Sequence, residues 1–316
     1  MILLTLLAVA YASAFETITL DEFKARPIPA FAQKLEGQDL VDYLNIVQPF
    51  FKAGTPTMTE EEEKAKIMDA SYLEEVEGVE RADEIESNVV IPTSFDARTK
   101  WPACTSIKTI RDQSACGSCW AVSAASAMSD RLCVQSNGRI KKIMSDADIL
   151  ACCGSSCGYG CKGGYTIRAW QYATSTGACT GGAYAQKGVC KPYPFHPCGR
   201  HSGQPYYGNC PSGGFSTPAC QKKCQSGYPT AYASDKLRAK SSYYVQRSVQ
   251  AIQKEIMTNG PVQAAFTVYA DFSTYKGGVY VHTAGAQRGG HAVKIIGWGV
   301  DKNTPYWLVS NSLDPD

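Results

Sequence analysis

The sequence predicts an α+β fold in which a helical, disulfide-rich half, about residues 103–237, packs against an antiparallel, barrel-like sheet half, about 238–316, with a cleft between them. Three observations carry this. Ala121, Ala124, Met128 and Leu132 recur at three- and four-residue steps, one apolar face of a helix that begins at Cys119. After Ser241, one helical stretch, SVQAIQKEIMTNG, gives way to short alternating runs, VQAAFTVYA, GVYVH, AVKIIGW and YWLVS, spaced by Gly and polar turns. All fourteen cysteines lie between Cys104 and Cys224, which marks the first half as bridged and secreted.

In chain order, residues 1–14, MILLTLLAVAYASA, form an apolar run too short to span a bilayer and closing on the small-x-small signal Ala12-Ser13-Ala14. They read as a signal peptide, and no later segment has transmembrane length. Residues 15–90 are free of Cys and His and read as a pro-segment. Its stretch from Glu60 to Glu86 carries twelve acidic residues against Lys64, Lys66 and Arg81, a net −9. With +2 for the whole chain, +11 remains on the rest. A solvated, partly disordered charge run is one reading of this stretch. The other is a segment attracted to an oppositely charged body and released when acid protonates its carboxylates.

Chemistry concentrates in Arg111–Trp120, RDQSACGSCW. A thiol attacks only as thiolate, and a helix N-terminus beside a cationic partner lowers its pKa, so Cys119 stands where a nucleophile belongs. Gly117 and Ser118 read as the turn and the cap. Most cysteines of a secreted, disulfide-rich chain are structural, so Cys119 needs a base. The chain has four histidines, His196, His201, His282 and His291. His291 follows Gly289-Gly290 and opens a buried-strand run; alone it reads more readily as a structural residue than as a catalyst, but Asn311, at the end of another apolar run, supplies an amide to orient it. Gln113 offers a side-chain donor beside the Cys119 backbone N–H for an oxyanion. Between Cys190 and Cys224 the chain is rich in Gly, Pro, Ser and Tyr, which reads as long loops pinned by disulfides. Cys152, Cys153, Cys157 and Cys161 are dense enough to suggest zinc, but their spacing lacks paired CxxC knuckles and secretion favours bridges. No basic run is interleaved with aromatics, so a nucleic-acid module has no support.

With SFDAR at 94–98, RDQ and CGSCW, CCG at 152–154, CKGGY at 161–165, GGHAVKIIGWG at 289–299 and TPYWLVSNS at 304–312, the chain from about Ile91 to Ser312 resembles the cathepsin B-type members of the papain family of cysteine peptidases. The resemblance implies a two-lobed papain-like fold, with a mature start at Val90/Ile91. It makes Cys119 the nucleophile, His291 the base, Asn311 its orienting amide and Gln113 the oxyanion donor, while Gly163 and Gly164 pair with the substrate backbone. It further implies six bridges: Cys104–Cys133, Cys116–Cys161, Cys152–Cys220, Cys153–Cys157, Cys190–Cys224 and Cys198–Cys210. Cys119 stays reduced, and Cys179 is left over as a buried free thiol or an intermolecular handle. Residues 198–210 correspond to an occluding loop that receives a substrate's free carboxylate. Where relatives carry two histidines this chain has Arg200 and His201; an Arg200–Asp112 pair would hold the loop closed across a wide pH range, and the equal alternative is that Arg200 points to solvent as an ordinary loop charge.

After Ser312 the family continues with a tryptophan and more sheet, whereas this sequence has Leu313 and stops at Asp316. Two functions therefore stand: an endopeptidase that also releases C-terminal dipeptides, or a catalytically impaired homologue that binds peptides or inhibitors. The first calls for no cofactor and no metal. Its partners would be protein or peptide substrates, its own pro-segment as inhibitor and cystatin-like inhibitors, for a monomer in the secretory pathway, lysosomal or extracellular, without nucleic acid or a membrane span.

Overall fold

The computed structural model of the protein describes residues 18–86 and 89–313, so the leader read at 1–14 and the last three residues lie outside it. Its helices are α1 (Leu20–Lys24), α2 (Gly37–Val47), α3 (Glu60–Lys66), α4 (Ala97–Lys100), α5 (Cys119–Gln135), α6 (Asp146–Cys152), α7 (Thr166–Ser175) and α8 (Val249–Asn259). Its strands are β1 (Phe51–Ala53), β2 (Phe95–Asp96), β3 (Gly181–Gly182), β4 (Lys191–Pro192), β5 (Val262–Tyr269), β6 (Tyr275–Gly278), β7 (Gln287–Asp301) and β8 (Thr304–Ser310). Among the described residues, no helix is long and apolar enough to cross a membrane.

The chain forms two compact units. One takes the described residues up to Thr59 together with Val268–Arg288 and Val300–Tyr306. Its core is the apolar side of α2, Leu40, Val41 and Leu44, packed with Phe51, Ala53, Ala270 and Ala284. β1 pairs antiparallel with β6. The expected strand GVYVH is displaced: pairing ends at Gly278, and Tyr280 and His282 turn to the buried carboxylate of Asp271. That carboxylate also accepts the Thr283 and Ala284 backbone N–H groups, so side-chain bonds replace the ladder.

The second unit takes Glu60–Thr267, Gly289–Gly299 and the chain from Trp307. Its centre is α5. Instead of one apolar stripe, nearly the whole helix is buried, including Ser123, Ser126, Ser129 and Asp130. Small Ala and Ser side chains allow α6 and α7 to approach closely, and Asp130 is neutralised by Lys294 of β7 at 2.7 Å. Ser118 occupies the N-cap position without capping through its side chain, because its hydroxyl bonds that of Tyr193 at 2.7 Å. α8 does have a side-chain cap: Ser248 Oγ accepts from the Ala251 N–H.

The sheet has the order β2-β7-β5, with β8 also paired to β7, and it stays open rather than closing into a barrel. β7 is buried continuously from Gly289 to Gly299, which explains an apolar run interrupted only by His291 and by Lys294, whose charge Asp130 meets. Ile295 and Trp298 pack there with Ile256 of α8 and Val262 of β5. The six disulfides join Cys104–Cys133, Cys116–Cys161, Cys152–Cys220, Cys153–Cys157, Cys190–Cys224 and Cys198–Cys210, the pairs that the resemblance implies. The four clustered cysteines therefore offer no thiolate to zinc. Cys179 is a buried free thiol.

The acidic stretch corrects its plainest reading. It folds onto the second unit as α3 followed by a 3-10 turn at Ala70–Leu73, burying Glu63, Lys66, Ile67 and Met68. The charge pattern hid two apolar residues, Ile67 and Met68, that find a pocket.

Candidate active site

Cys119 opens α5 and is fully buried, with the backbone N–H groups of Ala292, Trp120 and Cys119 itself directed at its sulfur. The helix N-terminus and the start of β7 thus meet at one atom. His291, the residue before Ala292, is also fully buried. Its Nε2 donates to Asn311 Oδ1 at 2.7 Å; because that oxygen only accepts, the neutral ring must carry its proton on Nε2. Nδ1 is then left as an acceptor, buried and without a hydrogen-bond partner among the described residues. Asn311 is steadied by the Ser312 N–H, which donates to the same oxygen at 2.8 Å.

Gln113 is buried on the same side. Its Oε1 accepts from Ser312 Oγ at 2.7 Å, which fixes the amide so that Nε2 points as a donor toward Cys116 O, at 2.9 Å, and Lys66 O. Ser312 therefore serves two site residues at once and was missed by sequence reasoning; its place directly after Asn311 was the available signal. Lys66 and the Ala292 N–H were missed too, since nothing local in the sequence points to either.

Gly163 has φ +120°, and a Cβ there would lie 2.7 Å from the Tyr72 ring and 2.8 Å from Met68 Cβ. A Cβ at Gly164 would strike Cys157 O and the Trp120 ring. Gly163 thus keeps a backbone shelf clear for chain laid across it, while Gly164 is required by the close packing of the core beneath. In this structure the chain is residues 66–73. Met68 pairs with Gly290 through two backbone hydrogen bonds, 2.9 and 2.7 Å, and its side chain joins the core cluster that holds Cys119, Trp120 and Ala292. Lys66 gives its carbonyl to Gln113 Nε2 and its ammonium to the carbonyl of the buried Leu313.

This cover sets the protonation states. Burial pushes the Cys119 thiol up to about 12, with the surrounding N–H groups pulling the other way. Burial likewise lowers His291 to about 4, opposed by its bond to Asn311. Both shifts disfavour charge, so with residues 66–73 in place the pair is thiol and neutral imidazole.

Arg200 does not reach Asp112. Its exposed guanidinium lies over the Tyr206 ring at 4.5 Å, a partner within its own loop that costs no long reach, and Asp112 accepts from the Ser114 N–H. His201 Nε2 lies 2.7 Å from Cys198 O. The loop base is tied by Ser114 Oγ, which donates to His196 O at 2.6 Å. His282 belongs to the first unit, beside Asp271. Cys179, Cys190 and Asp235 bring three possible metal donors within 4.8 Å of one another, but Cys190 is bridged to Cys224 and has no thiolate to give.

Residues 91–316 match the family described as papain family cysteine protease. The chain is 52% identical over 281 residues to a gut-specific cysteine proteinase of Caenorhabditis elegans, covering 89% of this chain and 82% of that protein. It is 47% identical over 297 residues to cathepsin B-like cysteine proteinase 1 of Haemonchus contortus, covering 94% and 85%. Its structure is similar to procathepsin B S9 of Trypanosoma congolense, with TM-score 0.72 and 33% identity over 87% of each chain. A digestive procathepsin L 3 of Tenebrio molitor, TM-score 0.57 at 19% identity over 84% of this chain and 73% of its own, shares the fold. A family model matching residues 91–316, relatives about half identical over most of their length and a procathepsin B of the same fold together show that the chain belongs to the papain family as a cathepsin B-like cysteine peptidase.

Proposed function

We propose that Cys119, His291, Asn311 and Gln113 are the catalytic residues of a secreted or lysosomal peptidase, held here in its inhibited precursor form. The observation that carries this is that Ala292, whose N–H faces the Cys119 sulfur, directly follows His291, whose buried ring is held by Asn311. His291 Nδ1 takes the thiol proton, and the thiolate attacks the peptide carbonyl. The oxyanion is held by Gln113 Nε2, one of whose two present acceptors is the carbonyl of Lys66, together with the Cys119 N–H. His291 returns the proton to the leaving amine, and water then releases the acyl group. No step calls for a cofactor or a metal.

Residues 15–90 act as the inhibitory pro-segment, with maturation at Val90/Ile91; both valines before that bond are strongly exposed, Val90 at 86%. Gly163 and Gly164 line the substrate backbone. Arg200 and His201, on the loop closed by Cys198–Cys210, receive the substrate's terminal carboxylate and give the enzyme C-terminal dipeptide release beside its endopeptidase activity. The processed Cys119→Ala variant should fold, lose all hydrolysis of a fluorogenic dipeptide substrate and lose labelling by a thiol-reactive peptide electrophile. Hydrolysis near the wild-type rate in that variant would place the nucleophile elsewhere.

A further inference from the structure

A cavity of about 650 Å³ opens on the helical half of the second unit, and none of its lining residues belongs to the site above. One wall is α7, which turns Arg168, Gln171, Tyr172 and Ser175 toward it at steps of three, one and three residues, a single helical face. The opposite wall is the Tyr232–Arg238 stretch, and the floor is braced by the bridges Cys153–Cys157 and Cys152–Cys220. Four cations line it, Arg168, Lys222, Lys236 and Arg238, and no carboxylate does.

The charge survives a count of what lies behind the wall. Lys236 and Lys191 both bind the fully buried Asp148, at 2.6 and 2.7 Å, so those three groups together leave +1. Asp235 is bonded to Thr180 and Tyr228, neither of which lines the cavity. Arg168 spends one N–H on Gln171 Oε1 and Arg238 one on Ser175 O, and each guanidinium has five donors in all. A rigid, sugar-sized hollow with unspent guanidinium forks and no acid in its lining suits an oxyanion ester.

We propose that this cavity binds a sulfate or phosphate ester carried on a sugar-sized body. The forks of Arg168 and Arg238 hold the ester oxygens, and Lys222 adds charge at the mouth. Bridged walls hold the site in shape before binding, so little ordering opposes it.

The test is titration calorimetry on the full chain carrying Cys119→Ala, with glucose 6-sulfate, glucose 6-phosphate and glucose as probes at low and high salt. Both esters should bind and glucose should not. Arg168→Gln with Arg238→Gln should weaken the esters at least tenfold, whereas Lys141→Gln, an exposed cation outside the cavity, should change them less than twofold. The two ester sources separate by pH: a phosphate ester gains charge through about pH 6 and its affinity should rise there, while a sulfate ester's stays flat. No binding of either ester at tens of millimolar, equal binding of glucose, or unchanged affinity in the double variant would each overturn the site. Should the double variant fail to fold, Arg238→Lys on the exposed rim keeps the charge but removes the fork, and undiminished binding there would also overturn it.

Discussion

The thiol and imidazole illustrate how one pair of residues is given two states by what covers it. A thiolate–imidazolium pair needs water or fixed dipoles to carry its charges; buried under Lys66–Met68, Cys119 is raised and His291 lowered, and both lose them. Uncovering the site restores solvent to one side while leaving the Ala292 N–H and Asn311 in place, which favours the charged pair. Arg200 makes the sharpest single-residue test of specificity. Because arginine stays protonated across the working range, a carboxylate held by Arg200 should be preferred at pH 5 and pH 7.5 alike. Comparing free-carboxylate and amidated versions of one peptide, the processed enzyme should keep its preference at both values. Arg200→Gln should reduce that preference at least fivefold, and an unchanged preference removes Arg200 from substrate binding. At this scale the sequence was most legible where chemistry demands a residue type at a fixed spacing, as with Cys119 after its turn or Asn311 ending a strand. It was least legible for backbone donors such as the Ala292 N–H, which carry no side-chain signature, and for Arg200, whose aromatic partner Tyr206 is one of many tyrosines in an aperiodic loop.

Periodicity, at the level of elements, served where one period held and failed where side chains or charge dominated. α5 began where the three- and four-residue steps began, and β7 emerged from its apolar run, yet GVYVH alternates like a strand and is instead organised by the Asp271 carboxylate. The stretch from Glu60 to Glu86 misled in a different way. Its net charge pointed to solvent, while the residues that anchor it, Ile67 and Met68, are two apolar positions inside the charge. Met68 is 2% exposed and is paired by backbone to Gly290 on the strand that carries His291. Truncating such a side chain costs about 2–5 kcal/mol of packing. Met68→Ala should therefore let a peptide electrophile label Cys119 in the unprocessed chain at least tenfold faster, whereas Glu77→Gln, an exposed change on the same segment, should have no effect. Equal labelling rates in the two variants would mean that Lys66 and the α3 contacts, and not Met68, hold the cover down.

For the whole molecule, the question is what releases that cover. The body's excess of positive charge meets the acidic stretch at discrete pairs: Glu75 with Arg247 at 3.0 Å and Glu84 with Lys254 at 2.7 Å, while Arg81, inside the stretch, also binds Glu75. The Glu75 carboxyl is held below its ordinary value, first by Arg81 of its own segment, with Arg247 of the body adding to it. The share of that depression supplied by Arg247 contributes docking stability that is present in full above the free value, about 4.3 for glutamate, and is lost as pH falls through the docked value. Acid should therefore loosen the pro-segment, and neutral pH should hold it. These pairs are partly exposed, so each contributes little and salt should act in the same direction as acid. With self-cleavage removed by Cys119→Ala, hydrogen exchange at the Met68 and Gly290 amides reads the docking directly once intrinsic rates are allowed for. Protection at these amides should be constant from pH 7.5 to about 5 and should fall several-fold between about 5 and 3.5. Glu75→Gln should show lower protection at neutral pH and a shallower fall, because the group that titrates has gone. Protection that is flat down to pH 3.5, or that falls identically in the variant, would show that packing of Ile67 and Met68 alone governs release and that the acidic stretch serves only solubility.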